Sequence, residues 1–202
     1  MINRRQMLVG SVVGAAGLML SEGLALASQV SKGALSDPEI PALGNPKGNV
    51  TIVEFFDYQC IYCKWSYPDI MKVVERDGNV RLVMKDWPVF GPASVRAASM
   101  VLAAKESGQY KQAMRALMST RSRLQDSSID SALANAGLDP AALQATVQKR
   151  SDHIGRILNR NIAQARSYGL RGTPSFIVGG KVYGGFQSEG ALEKAIQAAR
   201  GA

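Results

Sequence analysis

Residues 55–63 of this 202-residue chain read FFDYQCIYC, and they contain its only two cysteines, Cys60 and Cys63. The β-branched and aromatic run over residues 51–56 predicts a buried strand, and a helix is predicted to begin near Ile61. Cys60 is therefore expected where a strand ends and a helix begins. At such a point, free backbone N–H groups and the helix dipole both favour a negatively charged sulfur.

The spacing of the two cysteines favours redox chemistry over structural bracing. A disulfide between Cys60 and Cys63 would close a loop of four residues, for which the chain-entropy model gives about 2 kcal/mol of stabilisation, against about 3 kcal/mol for a 15-residue loop. An ordinary thiol is only about 3% thiolate at pH 7, so a helix N-terminus that lowers its pKa makes Cys60 the expected nucleophile. Cys63, one helical turn later, is the expected shielded resolving thiol; a passive short disulfide is the alternative.

The composition excludes several other classes of protein. The chain has 24 Lys and Arg, 16 Asp and Glu, one His and a hydrophobic fraction of 46%, which is typical of a globular rather than a disordered protein. Two cysteines and one histidine cannot supply a four-ligand zinc site or a disulfide-dense scaffold, and His153 is expected to be a surface residue rather than a catalytic one. The basic residues, Arg121 and Arg123 among them, are scattered through predicted helices without interleaved aromatic residues, so no nucleic-acid partner is expected.

The N-terminal residues are expected to direct export. A short basic lead containing Arg4 and Arg5 precedes an apolar run of 14 residues, which is shorter than the roughly 20 residues needed to span a bilayer. Residues 25–27, Ala-Leu-Ala, match the small-residue pattern of a cleavage site. We predict a cleavable signal peptide over residues 1–27 and a periplasmic location. An uncleaved membrane anchor is the alternative, and the choice between Sec and twin-arginine export is open.

The rest of the chain predicts an α/β fold with a helical interruption. The first strand, the helix after it and a second strand over residues 80–85 predict a parallel βαβ unit. From about residue 94 to 169 no strand pattern is present, and Ala, Leu, Met, Arg and Gln predict several helices. Strands return at residues 175–178 and 181–183, joined by a Gly-Gly turn that is typical of a hairpin, and a closing helix follows.

These elements divide the chain into segments. Frequent Gly and Pro predict an extended lead-in over residues 28–49. We assign residues 50–91 and 168–202 to one α/β domain of the order βαβ…ββα, and residues 92–167 to an all-helical insertion. The lead-in is short and lacks a helical or heptad period, so a coiled coil is not expected there and a monomer is predicted.

This combination of features resembles the DsbA family of exported thiol-disulfide oxidoreductases. The resemblance rests on residues 55–63, on the helical insertion and on residues 172–176, which read GTPSF, and it covers about residues 44–200. It implies a thioredoxin-like fold interrupted by an all-helical insertion domain. The strongest oxidants of the family carry a histidine at the position of Tyr62, so this departure leaves the oxidising strength of the pair open.

The resemblance also implies a substrate-binding surface around Cys60. In such proteins the dipeptide between the cysteines, here Ile61 and Tyr62, tunes the redox potential; the Tyr62 hydroxyl either donates to the thiolate or lies in exposed packing. The bond between Thr173 and Pro174 is expected to be cis, which would place the Thr173 backbone beside Cys60. Its N–H and C=O groups could then pair with an extended peptide substrate by strand addition.

Glu54 interrupts the apolar strand six residues before Cys60, and acidic side chains rarely occupy such positions without a partner. The resemblance implies that a carboxylate at this spacing is buried beneath the active site and takes part in proton transfer involving the second cysteine. Lys85, at the end of the second strand, is the predicted charge partner. A Glu54 that faces solvent at a strand edge is the alternative, and Lys64 is expected to be a solvated surface lysine.

Three functions are consistent with these inferences. The leading prediction is a dithiol oxidase that introduces disulfides into reduced or unfolded exported proteins through Cys60 and Cys63, with a membrane redox partner that resets the disulfide and with no cofactor or metal. A disulfide isomerase or reductase on the same fold is the first alternative, because a threonine such as Thr173 before the cis-proline also occurs in isomerase-type relatives. A copper-binding module is the second, because two thiolates can hold Cu(I).

Overall fold

The structure of the protein is a computed structural model that describes Gly33, Leu35 and residues 37–201. The predicted signal peptide over residues 1–27 lies outside the described residues. Within the described part of the chain, no helix combines the length and the hydropathy that crossing a membrane requires.

The described residues form five strands and seven α-helices. The strands are β1 (Ala42–Gly44), β2 (Val50–Phe56), β3 (Val80–Asp86), β4 (Ser175–Val178) and β5 (Lys181–Gly184). The helices are α1 (Ile61–Asp77), α2 (Pro92–Ala104), α3 (Tyr110–Met118), α4 (Asp126–Asn135), α5 (Pro140–Lys149), α6 (Ser151–Ser167) and α7 (Glu189–Arg200). A short 3-10 helix, Lys105–Ser107, follows α2.

The strands form one mixed sheet in the order β1-β3-β2-β4-β5. β2 and β3 run parallel, as predicted for a βαβ unit, and every other neighbouring pair is antiparallel. The predicted order βαβ…ββα is confirmed. β2, α1 and β3 precede the helical block, which consists of α2–α6, and β4, β5 and α7 follow it. β1 is an addition to the prediction: it lies within the extended lead-in and pairs with β3, with Ala42 opposite Val83.

The central strand β2 is apolar along most of its length because both of its faces are buried. Ile52, Val53, Phe55 and Phe56 are inaccessible to solvent, and a strand buried on both faces is expected to read as a continuous apolar run. α1 and α7 pack against each other, α7 also contacts β2 and β4, and α6 contacts β3. The residues that follow Phe56 therefore start from a rigid position in the middle of the sheet.

The segment predicted to be helical consists of α2–α6. α2 contacts each of the other four helices, and Met100 on α2 is fully buried, so α2 lies at the centre of this block. α5 begins as the sequence predicts, with Pro140 in the first turn and Asp139 as the N-cap. One carboxylate oxygen of Asp139 accepts hydrogen bonds from the N–H groups of Ala141 (2.9 Å) and Ala142 (3.1 Å).

The hairpin between β4 and β5 turns on Gly179 and Gly180, as predicted. Both residues have positive φ, 56° and 79°, which glycine adopts without steric cost. A Cβ at position 179 would also lie 2.5 Å from the Cβ of Ala199 in α7. After the hairpin, the N–H of Gly185 donates to the carbonyl oxygen of Pro174 (2.9 Å), so the hairpin holds the loop that precedes β4.

A network of charges with a buried pair at its centre joins the N-terminal part of the described chain to the sheet. The ammonium of Lys85 on β3 pairs with the carboxylate of Asp37, and both side chains are almost fully buried. Arg160 on α6 pairs with Asp37 (2.7 Å) and with Glu39, and His153 Nε2 lies 3.5 Å from a Glu39 oxygen. Burial lowers the pKa of Lys85, and its hydrogen bond to Asp37 opposes that shift.

Replacing Asp37 with Asn should destabilise the protein strongly, because it leaves the Lys85 ammonium buried without a counter-charge. We expect the free energy of unfolding, measured by denaturant titration at pH 7, to fall by about 3 to 5 kcal/mol. Lys85→Met combined with Asp37→Leu removes both charges and should recover most of the loss. Glu189→Gln, which breaks exposed ion pairs with Lys72 and Arg76, is the control with a much smaller expected effect. A loss in Asp37→Asn no larger than in that control would contradict the assigned role.

Candidate active site

Cys60 lies where β2 has ended and α1 begins, as the sequence predicts. It is the N-cap residue of α1, its N–H donates to the carbonyl oxygen of Asp57 (3.0 Å), and its own carbonyl oxygen accepts from the N–H of Lys64 (3.1 Å). Its thiol donates to the carbonyl oxygen of Thr173 (3.2 Å). Cys60 and Cys63 are both free thiols and both buried, with Cys60 3% exposed and Cys63 inaccessible.

The surroundings of Cys60 stabilise its thiolate. Its pKa is lowered to about 6, first by a hydrogen bond from the Cys63 thiol, and further by the Thr173 side chain and the backbone N–H groups of Cys63 and Tyr62; burial opposes the shift. A thiol with that pKa is about 90% thiolate at pH 7. Cys60 therefore has the reactivity expected of a nucleophile in disulfide exchange.

The environment of Cys63 has the opposite effect. Burial raises the pKa of the Cys63 thiol far above its usual range, and the hydrogen bond to Cys60 and the charge of Glu54 raise it further. Cys63 thus holds its proton and lies shielded within the first turn of α1. The pKa of Cys60 is lowered and that of Cys63 is raised, as the predicted nucleophilic and resolving roles require.

Glu54 is fully buried in the middle of β2, opposite Met84 of β3 and Phe176 of β4. Neither carboxyl oxygen has a hydrogen-bond partner among the described residues. Burial raises the pKa of Glu54 well above its usual range, and the charge of Cys60 raises it further. A carboxyl that holds its proton near the buried thiol can donate and accept that proton, which fits the predicted role in proton transfer.

The predicted pairing of Lys85 with Glu54 is wrong. Lys85 lies opposite Phe55, one residue along from Glu54 in the register of the parallel pair, so its side chain lies on the other face of the sheet. There it pairs with Asp37. A second correction concerns Lys64, predicted as a solvated surface residue, which is buried and donates to the hydroxyl of Thr120 (2.8 Å).

The residues predicted to bind substrate surround Cys60. Ile61 and Tyr62 are exposed, Tyr62 at 53%, and the Tyr62 ring packs edge-on against Trp65 at 5.4 Å. The Thr173–Pro174 peptide bond is cis, as the resemblance implies. Thr173 and Pro174 line an open groove of about 380 Å³ on one side of the cysteine, together with Gly172 and Val182 among others. The structure thus brings the four predicted residues close to Cys60, with Pro174 buried and the other three at least partly exposed, and their role in binding stays a prediction.

Asp57 is a site residue that the sequence analysis missed. One carboxylate oxygen accepts hydrogen bonds from the N–H of Gln59 (2.7 Å) and the hydroxyl of Ser94 (2.7 Å). The other accepts from the N–H groups of Val89 (2.7 Å) and Phe90 (3.1 Å). Asp57 therefore fixes the loop that carries Cys60 to the loop before α2. The available signal was an aspartate directly after a strand, which commonly bonds the backbone two residues on.

His153 and the arginines Arg121 and Arg123 lie away from the positions of the two cysteines in the chain, and the structure shows where each is found. His153 pairs with Glu39 rather than with either cysteine. Arg121 and Arg123, predicted in helices, lie instead in the loop between α3 and α4. No cluster of three or more His, Cys, Asp or Glu side chains that could hold a metal ion occurs among the residues that the structure describes.

The sequence matches the thioredoxin family over residues 36–198, and the chain belongs to that family. A solved thioredoxin-like oxidoreductase from Silicibacter pomeroyi is 36% identical, with a TM-score of 0.81, and the match covers 85% of this chain and 98% of that one. The predicted thioredoxin-like fold is therefore confirmed.

Two further solved structures support the DsbA-like resemblance. The thiol-disulfide exchange protein alpha-DsbA2 from Wolbachia pipientis is 27% identical, with a TM-score of 0.77, over 88% of this chain and 97% of that one. A periplasmic thioredoxin-like protein from Salmonella enterica serovar Typhimurium is 27% identical, with a TM-score of 0.73, over 86% and 97%. The resemblance to DsbA-like thiol-disulfide oxidoreductases is thus confirmed.

Curated relatives match over part of their own length. The Na+/H+ antiporter NhaA 3 of Salinispora tropica is 26% identical over 166 residues, which is 81% of this chain and 25% of the antiporter. The chain spans about a quarter of the length of the curated relatives it matches.

Alkylation of the reduced protein should follow the ionisation of Cys60. We expect the rate with iodoacetamide, followed by mass spectrometry from pH 4 to 10, to rise with a midpoint near pH 6 and to modify Cys60 first, because Cys63 is buried and protonated. Cys63→Ala should move the midpoint upward, since it removes the principal hydrogen bond to the thiolate. In Cys60→Ser little alkylation is expected below pH 9. Earlier modification of Cys63 would reverse the role assignment.

Glu54→Gln should slow disulfide exchange near neutral pH, because it removes a proton donor and acceptor at nearly constant volume. We expect a loss of about tenfold or more in the exchange rate, with the fold retained by circular dichroism. Glu75→Gln, on the exposed face of α1, makes the same chemical change away from the cysteines and should leave the rate unaltered. Equal rates for Glu54→Gln and the unmodified protein from pH 5 to 9 would count against the proton-transfer role.

Proposed function

We propose that this member of the thioredoxin family is an exported thiol-disulfide oxidoreductase that works as a dithiol oxidase, donating a disulfide between Cys60 and Cys63 to reduced exported proteins. The observation that carries the proposal is that the pKa values of the two thiols are shifted in opposite directions. The pKa of Cys60 is lowered to about 6, whereas burial raises that of Cys63. One sulfur is therefore a good leaving group at neutral pH, and the other retains a proton.

In the oxidising direction, a thiolate of the substrate attacks the Cys60 sulfur of the disulfide-bonded pair. The bond between the Cys60 and Cys63 sulfurs breaks, and the Cys63 sulfur takes up a proton, which we assign to the carboxyl of Glu54. The second substrate thiolate then attacks the substrate sulfur of the mixed disulfide, and Cys60 leaves as a thiolate. The substrate loses two electrons to the cysteine pair; one of its protons restores Glu54 and the other passes to solvent.

The low pKa of Cys60 supports the oxidising direction. A thiolate exists only in the reduced pair, so each unit by which its pKa lies below the working pH stabilises the reduced state by about 1.4 kcal/mol, or about 30 mV. A pKa of about 6 therefore contributes about one such unit at pH 7. A pair whose reduced state is stabilised is a better oxidant. We expect a reduction potential above about −200 mV, between that value and the roughly −120 mV of a strongly oxidising DsbA and well above the roughly −270 mV of thioredoxin.

The surface around Cys60 supports polypeptide substrates. Ile61, Tyr62, Trp65 and Phe90 are large apolar side chains that are each 43% exposed or more, and exposed apolar patches on a soluble protein mark binding surfaces. The carbonyl oxygen of Thr173 lies 3.2 Å from the Cys60 sulfur. An extended segment of substrate that pairs with the backbone at Thr173 would bring its cysteine to Cys60 whatever its sequence.

Export and the partners belong to the same proposal. The periplasmic relative from Salmonella enterica and the predicted signal peptide over residues 1–27 support a periplasmic location. There, reduced exported proteins would be the substrates, and a membrane redox partner would reset the disulfide. We propose that the protein acts as a monomer, because a single thiol pair that donates disulfides needs no second active site.

A disulfide isomerase or reductase is the second candidate, and the presence of Thr173 before the cis-proline favours it. The two activities separate by reduction potential, since an isomerase or reductase needs a pair that stays reduced in its compartment. The copper-binding alternative is less favoured by the thiols themselves. Holding Cu(I) between two sulfurs needs two thiolates, whereas burial keeps Cys63 protonated.

Cys63→Ser should trap mixed disulfides between Cys60 and exported proteins, because Cys60 can still attack a disulfide of such a protein, whose other sulfur leaves, and no Cys63 thiol is present to release the adduct. We expect these adducts on non-reducing gels of periplasmic extracts, and none with Cys60→Ser. The potential of the unmodified pair, measured in a glutathione buffer, decides the direction: a value above about −200 mV supports the oxidase, and one below about −250 mV supports a reductase. Adducts that form through Cys63 in Cys60→Ser would overturn the mechanism.

A further inference from the structure

A second groove adjoins Cys60 on the side of the helical block. It has a volume of about 310 Å³ and is lined by Gln59, Ile61, Lys64, Phe90, Arg121 and Arg123, among others. We call it the basic groove. Because Gln59 and Ile61 are the residues on either side of Cys60, a chain bound in this groove would pass directly beside the reactive sulfur.

The walls of the basic groove are held in place by hydrogen bonds. The side-chain amide of Gln59 donates to the carbonyl oxygen of Phe90 (3.0 Å) and to the hydroxyl of Ser94 (3.0 Å). On the other wall, the ammonium of Lys64 donates to the hydroxyl of Thr120 (2.8 Å), which holds the start of the loop between α3 and α4. The groove therefore exists before any substrate binds.

None of the three cations of the basic groove, Lys64, Arg121 and Arg123, forms an ion pair with an acidic side chain among the described residues. Asp57, whose charge acts on the pKa of Lys64, already accepts four hydrogen bonds within the protein. On the neighbouring helix α2, by contrast, Arg96 pairs with Asp130 at 2.7 Å. Positive charge in a concave site with low-dielectric walls raises the local concentration of an oppositely charged ligand.

We propose that the basic groove selects substrate polypeptides that carry Asp or Glu beside the reacting cysteine. This inference rests on the proposed function and adds a substrate class to it. An acidic segment would place its carboxylates near Arg121 and Arg123, while Ile61 and Phe90 contact its apolar atoms. Both arginines are exposed in the loop between α3 and α4, so the preference operates on encounter and should weaken with salt.

The test uses three peptides that differ only in the residues flanking a pair of cysteines, which are Glu, Gln or Lys. Their oxidation by the disulfide form of the protein is followed by chromatography at low salt and at 0.5 M NaCl. Each rate is divided by that peptide's rate with a small aromatic disulfide, so that differences in intrinsic thiol reactivity cancel. We expect the Glu peptide to react about tenfold faster than the Lys peptide at low salt. The ratio should approach one at 0.5 M NaCl, where the Debye length is only about 4 Å.

Arg121→Glu with Arg123→Glu should reverse the ratio, and Arg121→Gln with Arg123→Gln should bring it near one. Lys149→Glu with Arg156→Glu changes the net charge equally at exposed helical positions outside the groove, and it should keep the preference of the unmodified protein. An equal loss in this control would assign the effect to the overall charge of +8 and overturn the inference.

Oxidation of dithiothreitol by the unmodified protein separates the two proposals. Failure of this reaction would overturn the proposed function itself. A normal reaction with dithiothreitol, combined with equal rates for the Glu and Lys peptides at low salt, would overturn only the role of the basic groove.

Discussion

The Cys60 sulfur lies 3.2 Å from the Thr173 carbonyl oxygen, although the two residues are 113 positions apart in the chain. The rest of the site depends on this contact. It requires β2 and β4 to be neighbours in the sheet, with Phe55 opposite Ser175, so that the end of one strand lies beside the start of the other. Through that pairing, the N-terminus of α1, the loop before β4 and the buried carboxyl of Glu54 come together around one sulfur.

The ionisable groups in the middle of the protein are accommodated in two ways. Asp57 accepts four hydrogen bonds, and Lys85 pairs with a carboxylate, so their charges are compensated. The carboxyl oxygens of Glu54 and Asp86 have no hydrogen-bond partner among the residues described. Burial raises the pKa of both, that of Asp86 to about 8. Of these two carboxyls, only Glu54 influences the pKa of Cys63, and strongly shifted groups beside a reactive side chain are typical of functional sites.

Cys60 lies between two surfaces of different character. The loop at Thr173 and Pro174 offers backbone groups, which can pair with any extended chain. The basic groove, by contrast, offers the side chains of Lys64, Arg121 and Arg123. Only the second surface depends on the helical block, because the loop between α3 and α4 contributes both arginines. The helical block therefore supplies the positive charge beside Cys60, whereas the sheet and the start of α1 position the two cysteines.

Local patterns predict the reactive pair and the α/β fold class: a strand, a helix start and both cysteines lie within residues 51–63, and the later strand and helix patterns complete the order βαβ…ββα. The cis bond before Pro174 followed from family resemblance. The partners of the buried charges, by contrast, depend on tertiary contacts. Lys85 lies opposite Phe55, the residue after Glu54, and therefore on the other face of the sheet, and its partner Asp37 is 48 residues away in the chain. Register, depth of burial and contacts between distant segments leave no local pattern, since they depend on how the finished elements pack.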